Sequence, residues 1–269
     1  MKTDNMAYGL THSMWQSFEK IYATDLVYVS NCWKLCGDAH CCSFARYKAK
    51  FQLIARTPFQ ELPLLPGEYE YLQAKGWLAQ FGDHDHKVVE YPLDGGNLRV
   101  ESIISRRPLC ACDHDTRPTI CRLYPLLPVF TIDGALLEVE SVGLYELLEE
   151  IEGLAPACQL TALPFNELQK LLVITGELAR HPIFLYYLAA YRQTKAHVQS
   201  RLLSVKAKQS GTAFALFESL LIRKNLIDHA TLKAQLDDLL IQFRIQYGGY
   251  FQITTTRPGA LQLNHHAGR

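Results

Sequence analysis

The sequence predicts an α+β fold: a small antiparallel sheet carrying a cysteine-rich metal site, followed by a C-terminal helical bundle. Two hairpin signals within residues 86–142 predict the sheet, and amphipathic segments from Leu144 onward predict the bundle. Eight cysteines, none beyond position 158, place the thiol chemistry in the first half of the chain. The expected organisation is a cysteine-rich metal-binding domain over 1–158, a helical bundle over 159–252 and a frayed tail over 253–269.

Taken in order, Ser13 to Tyr22 predicts a short first helix, and "DLVYVS" leads into "CWKLCGDAHCC". The following "SFARYKAKFQLIA" is mixed between strand and helix. "LPLLPGEYEYLQAKG" predicts a helix with Pro66 at its start and Gly76 just past its end. "KVVEYPL" and "NLRVESII" flank Asp94-Gly95-Gly96, and "LPVFTI" and "ALLEVESV" flank Asp133-Gly134, each a hairpin. Between them "RRPLCACDHDTRPTICRLYP" is too rich in proline and cysteine for regular structure, so the sheet is expected to present a thiol-lined loop.

The second half reads as helices. "LYELLEEIEG" is closed by Gly153, and "FNELQKLLVITGELAR" carries one apolar face. Pro182 opens "IFLYYLAAYRQTKAHVQSRLL", and "TAFALFESLLIRKN" follows. The last helix, "DHATLKAQLDDLLIQFRIQYG", has Asp228 as N-cap and Gly248 after its last turn.

Composition narrows function. Twenty-seven basic residues balance 27 acidic ones, so no global field draws the chain to nucleic acid or to an acidic membrane surface. No apolar stretch approaches the roughly 20 residues of a membrane span, and the N-terminus shows no secretory pattern. The expected location is the cytoplasm. There thiols stay reduced, so clustered cysteines read as metal ligands before they read as disulfides.

The spacing is C-x3-C-x4-C-C for Cys32, Cys36, Cys41 and Cys42, and C-x-C-x8-C for Cys110, Cys112 and Cys121. Neither is the paired C-x2-C of zinc ribbons and fingers. Four thiolates satisfy one tetrahedral zinc ion or hold one iron–sulfur cluster, so eight serve two such sites. In an extended segment Cys41 and Cys42 point to opposite sides and do not easily grip one ion together. Many thiols and few histidines favour an iron–sulfur cluster over zinc. Arg117 and Arg122 bracket Cys121, with Tyr124 behind them. Such guanidinium groups either offset a thiolate-bound centre, grip a substrate carboxylate, or make ordinary surface ion pairs.

A first group ending in Cys-Cys, a middle C-x-C, then "RPTICRLYP" and a late Cys158 together resemble the YkgJ-type cysteine-cluster family, a zinc- or iron-chelating domain with eight cysteines. The resemblance runs from about Cys32 to Cys158. Its specific part is R-P-x-x-C-R-x-Y-P, while the C-x3-C-G-x3-C-C spacing and the tight C-A-C depart from the family pattern. It implies that all eight cysteines are ligands. For Cys158 it is the only support, since alone that residue reads equally as a buried apolar thiol. A more distant similarity, to flagellin lysine-N-methylase, implies S-adenosylmethionine and methyl transfer to a protein, although no G-x-G turn marks a nucleotide site.

Two function classes follow. One is a redox or methyl-transfer enzyme acting on a protein or small molecule. The other is a structural zinc-binding or metal-handling protein whose helical half binds a partner protein. "DHDH" at 83–86 reads as a solvated turn, and Tyr186, Tyr187 and Tyr191, at helical spacing, read as core or groove-lining residues. No G-x-S-x-G anchors a serine nucleophile.

Overall fold

Helix α1 (His12–Ala23) buries Met14, Phe18, Ile21 and Tyr22 along one stripe, and Thr11 caps it by accepting a hydrogen bond from the Met14 amide at 3.2 Å. The computed structural model describes residues 9–28, 50–52, 60–106, 113–141, 143–154 and 163–248. The fold is α+β, with two small antiparallel sheets and several helices. "SFARYKAKFQLIA", apart from Lys50, Phe51 and Gln52, and the C-terminal tail lie outside the described residues.

Three strands form the first sheet in the order β1-β3-β2: β1 (Gln60–Leu64), β2 (His84–Leu93) and β3 (Gly96–Ser105). Leu93 pairs with Gly96, so Asp94-Gly95 makes the tight turn that the sequence signals. Strand β1 escaped the sequence reading. Its Pro63 suits an edge position, and its alternation buries Gln60, Leu62 and Leu64.

Helix α2 (Glu68–Ala74) lies between β1 and β2 in the chain. Its cap is Gly67 at φ +77°, so Pro66 stands just before the cap rather than at the first helical position. A side chain at Gly67 would meet the Leu10 backbone at 3.1 Å, which ties the helix entry closely to the segment before α1. Where the sequence suggested no regular structure, residues 114–116 form one 3₁₀ turn and α3 (Thr119–Leu123) a short helix. The second hairpin pairs β4 (Leu126–Phe130) with β5 (Leu136–Ser141) around the Asp133-Gly134 turn.

The helices of the second half are α4 (Leu144–Ile151), α5 (Phe165–Ala179), α6 (Pro182–Lys206), α7 (Ala213–Ile222) and α8 (His229–Tyr247). Pro182 opens α6 and Asp228 caps α8, as their sequences indicate. The larger core draws on both halves: Phe18, Leu72 and Ile103 share it with Ile174, Phe184 and Phe243. Tyr186 and Tyr187 belong to it, matching their core reading. A smaller core gathers Phe51, Leu148, Leu202, Phe214 and Phe217. No helix among the described residues is long and apolar enough to cross a membrane.

Candidate functional site

The conformation around Cys121 is set by a buried carboxylate and a buried guanidinium. Glu68, fully buried at the start of α2, accepts hydrogen bonds from the Thr119 amide (2.7 Å), the Thr119 hydroxyl (2.6 Å), the Tyr22 hydroxyl (2.7 Å) and the Leu65 amide (2.9 Å). Two of these bonds hold the first residue of α3, whose own amide would otherwise lack an intrahelical partner. Glu68 therefore does for α3 across the core what a capping side chain does locally.

Arg122, only 1 % exposed, spends its guanidinium on the backbone. Its Nε donates to the Arg117 carbonyl (3.2 Å), Nη1 to the Thr24 carbonyl (3.2 Å) and Nη2 to the Asp115 carbonyl. The guanidinium also lies 4.6 Å from the centre of the Tyr22 ring, a cation–π geometry. Arg117 donates from Nη2 to the Leu26 carbonyl at 3.0 Å. Both arginines that flank Cys121 thus fasten residues 113–124 to the chain after α1.

Three further contacts complete this frame. The Tyr28 hydroxyl donates to the Leu123 carbonyl at 3.0 Å. Gln80 accepts from the Asp113 amide (2.9 Å) and the Thr116 hydroxyl (2.8 Å) and donates to the Thr116 carbonyl (3.2 Å). At the far end the Tyr124 hydroxyl bonds the buried carboxylate of Glu146.

Burial dominates the electrostatics here. It pushes the Glu68 carboxyl above its ordinary range, against the four donors that pull it down. Burial raises the Tyr22 phenol well above its usual value, and the Glu68 charge adds to the effect. Burial also draws Arg122 downward, with Arg117 contributing in the same direction. His114 is lowered, first by burial and then by Arg117.

No family model, curated protein or solved structure matches the chain. Cys121 is half-buried on α3, and Arg117, Arg122 and Tyr124 lie within four positions of it in the chain. Cys32, Cys36, Cys41, Cys42, Cys110, Cys112 and Cys158 lie outside the described residues. Among the described residues, Asp25, His114 and Asp115 bring their donor atoms within 4.8 Å of one another, an arrangement able to hold a metal ion. His114 Nδ1 stands 3.7 Å from Asp25 and 3.2 Å from Asp115.

Sequence reasoning missed Glu68, Tyr22 and Gln80. Glu68 sits 51 positions from Thr119 and Tyr22 lies 46 positions from Glu68, so no local motif joins them. The one local hint was an acidic residue in the first turn of α2, which reads equally well as an ordinary helix-start residue. "DHDH", read as a turn, instead contributes His84 and His86 to β2, and His86 Nε2 pairs with Glu101 at 2.8 Å.

Proposed function

We propose that the chain holds a cysteine-ligated metal centre built against the turn around Cys121, an iron–sulfur cluster in preference to zinc. The observation that carries this reading is Arg122. A fully buried cation bonded to three backbone carbonyls beside Cys121 defines the shape of one short turn. Such an arrangement suits a turn that must present a thiolate in a fixed direction.

Two other observations support it. Tyr28 and Asp113 are the described residues nearest in sequence to Cys32 and Cys112, and both bond into the same frame, one directly and one through Gln80. The donor chemistry also fits, because thiolates with guanidinium groups nearby suit an anionic centre. Cys32, Cys36, Cys41, Cys42, Cys110, Cys112, Cys121 and Cys158 would hold the metal. Arg117, Arg122 and Tyr124 would position the Cys121 segment, with Arg117 the better placed of the two cations to meet a substrate, since it is less buried. As a cluster the centre would supply electron transfer, or would serve a methyl-transfer reaction using S-adenosylmethionine. The substrate would be a protein or small molecule. As zinc it would be scaffold, and the helical half would bind a partner protein. The YkgJ-type resemblance belongs to this proposal.

The test is anaerobic purification, with a visible absorption spectrum and iron, zinc and acid-labile sulfide analysis on the same sample. Iron and sulfide in matching amounts, reduced in a Cys121→Ser variant, is the expected result. Zinc without colour would shift the reading to a structural site, and a metal-free protein with all thiols reactive would overturn it.

A further inference from the structure

We propose that a cleft bounded by the β4–β5 hairpin, α4, α6 and α8 binds an amphipathic amine: an apolar body ending in a protonated nitrogen. The inference stands apart from the metal reading. The cleft has a volume of about 790 Å³, within the range of pockets that take small molecules.

Its lining changes character along α6. Half-buried Phe130, Ile132, Ala189 and Leu239 make one end apolar, above Leu185, Leu188 and Phe243 of the larger core. From Leu185 to Lys195 the helix advances roughly 15 Å, and there the lining becomes polar, with Arg192, Lys195, Glu146 and Glu150. A ligand that follows this gradient needs an apolar body and a charged head at opposite ends.

Charge selects the sign of the head. Arg192 is already engaged by two carboxylates of β5, Glu140 at 2.5 Å and Glu138 at 3.4 Å. Glu146 and Glu150 are one turn apart on α4 and both face the cleft. Three lining glutamates, Glu140, Glu146 and Glu150, therefore meet two lining cations at this end, and one of those cations, Arg192, is shared with Glu138 outside the lining. A carboxylate head would add to the excess of negative charge, whereas an ammonium head would offset it. Glu146 is itself held in place by the Tyr124 hydroxyl, so the acceptor is fixed before any ligand arrives.

The experiment is calorimetric titration of the full-length chain with decylamine and, separately, with decanoate, both below their micelle-forming concentrations. Saturable one-to-one binding of decylamine, with none of decanoate, is expected. Two variants on exposed positions, Glu150→Lys and Ala196→Trp, should each weaken decylamine binding by roughly tenfold or more, the first by reversing the head-group charge and the second by filling the polar end. Circular dichroism would confirm that both fold. Equal binding of the two probes, no decylamine binding, or unchanged affinity in both folded variants would overturn the proposal.

Discussion

Glu68 and Glu101 are both withdrawn from water, at 0 % and 2 % exposure, yet their partners differ in kind. Glu68 takes four neutral donors, two from backbone amides and two from hydroxyls. Glu101, on the inner face of the three-stranded sheet, faces basic side chains instead: His86 at 2.8 Å and Arg99 at 2.9 Å. His86 in turn stacks flat on Tyr69 of α2, their rings 3.6 Å apart. Around Glu101, side chain meets side chain and links sheet to helix. Around Glu68 and Arg122, charge is bonded to backbone, which defines where the chain runs. The second use shapes a turn, and that turn is the one holding Cys121.

The sharpest way to break this contrast is Arg122→Met. It would remove a buried cation together with its bonds to three backbone carbonyls, so unfolding in urea should show a loss on the order of 3–5 kcal/mol. Arg122→Lys should recover only part, because an ammonium point charge cannot reach three carbonyls at once. If Arg122→Met proved as stable as the parent, the guanidinium would not be holding the turn.

Glu68→Gln comes next. With its oxygen kept toward Thr119 and Tyr22, the new amide nitrogen faces the Leu65 amide, donor against donor, at a cost of roughly 1–3 kcal/mol. The pH dependence gives a separate test. The folded-state pKa of Glu68 is raised above its ordinary 4.5, so the folded state keeps a proton that the unfolded chain has released. Stability from this group is fully present below 4.5 and is lost as pH rises through the folded value. Glu68→Gln should flatten that fall. Glu177 behaves oppositely: burial alone would raise it, but bonds from Lys20 and Ser17 hold it low, so its stabilisation is lost as pH falls.

The same contrast explains what the sequence disclosed. Hairpin turns and helix caps are local, and Asp94-Gly95, Asp133-Gly134, Pro182 and Asp228 marked them correctly. Arg117, Arg122 and Tyr124 were visible because they crowd one motif. Their roles were not, since whether an arginine meets solvent, sulfur or a carbonyl depends on residues such as Thr24 and Leu26, almost a hundred positions away. Strand β1 was hidden for a related reason. "QELPL" is short and contains proline, and its pairing with β3 across some forty residues is what makes it a strand. Of the thiols, Cys121 alone lies within the described residues, so the sequence remains the source for the other seven.

Glu101→Gln should cost less than either change at the turn, about 1–2 kcal/mol. Its partners His86 and Arg99 keep 23 % and 29 % of their side-chain surface in solvent and can rehydrate when the carboxylate is neutralised. The Arg122 guanidinium, by contrast, is almost wholly withdrawn from water and holds three carbonyls at once. A loss in Glu101→Gln equal to that in Arg122→Met would erase the distinction between the two uses of charge.

The smallest expected effect is also the most direct probe of how the first thiol segment is anchored. Tyr28→Phe removes only the hydroxyl that donates to the Leu123 carbonyl and keeps the ring that packs against the larger core. Because Tyr28 is only part-buried, water can replace the lost donor, and the stability change should stay near 1 kcal/mol or below. Its consequence for metal should be larger in proportion. If the turn and the stretch beginning at Cys32 hold a common centre, loosening their nearest described link should speed metal loss to a chelator without unfolding the protein, and an unchanged release rate would show that Cys32 and Cys121 do not depend on this contact to share a ligand set.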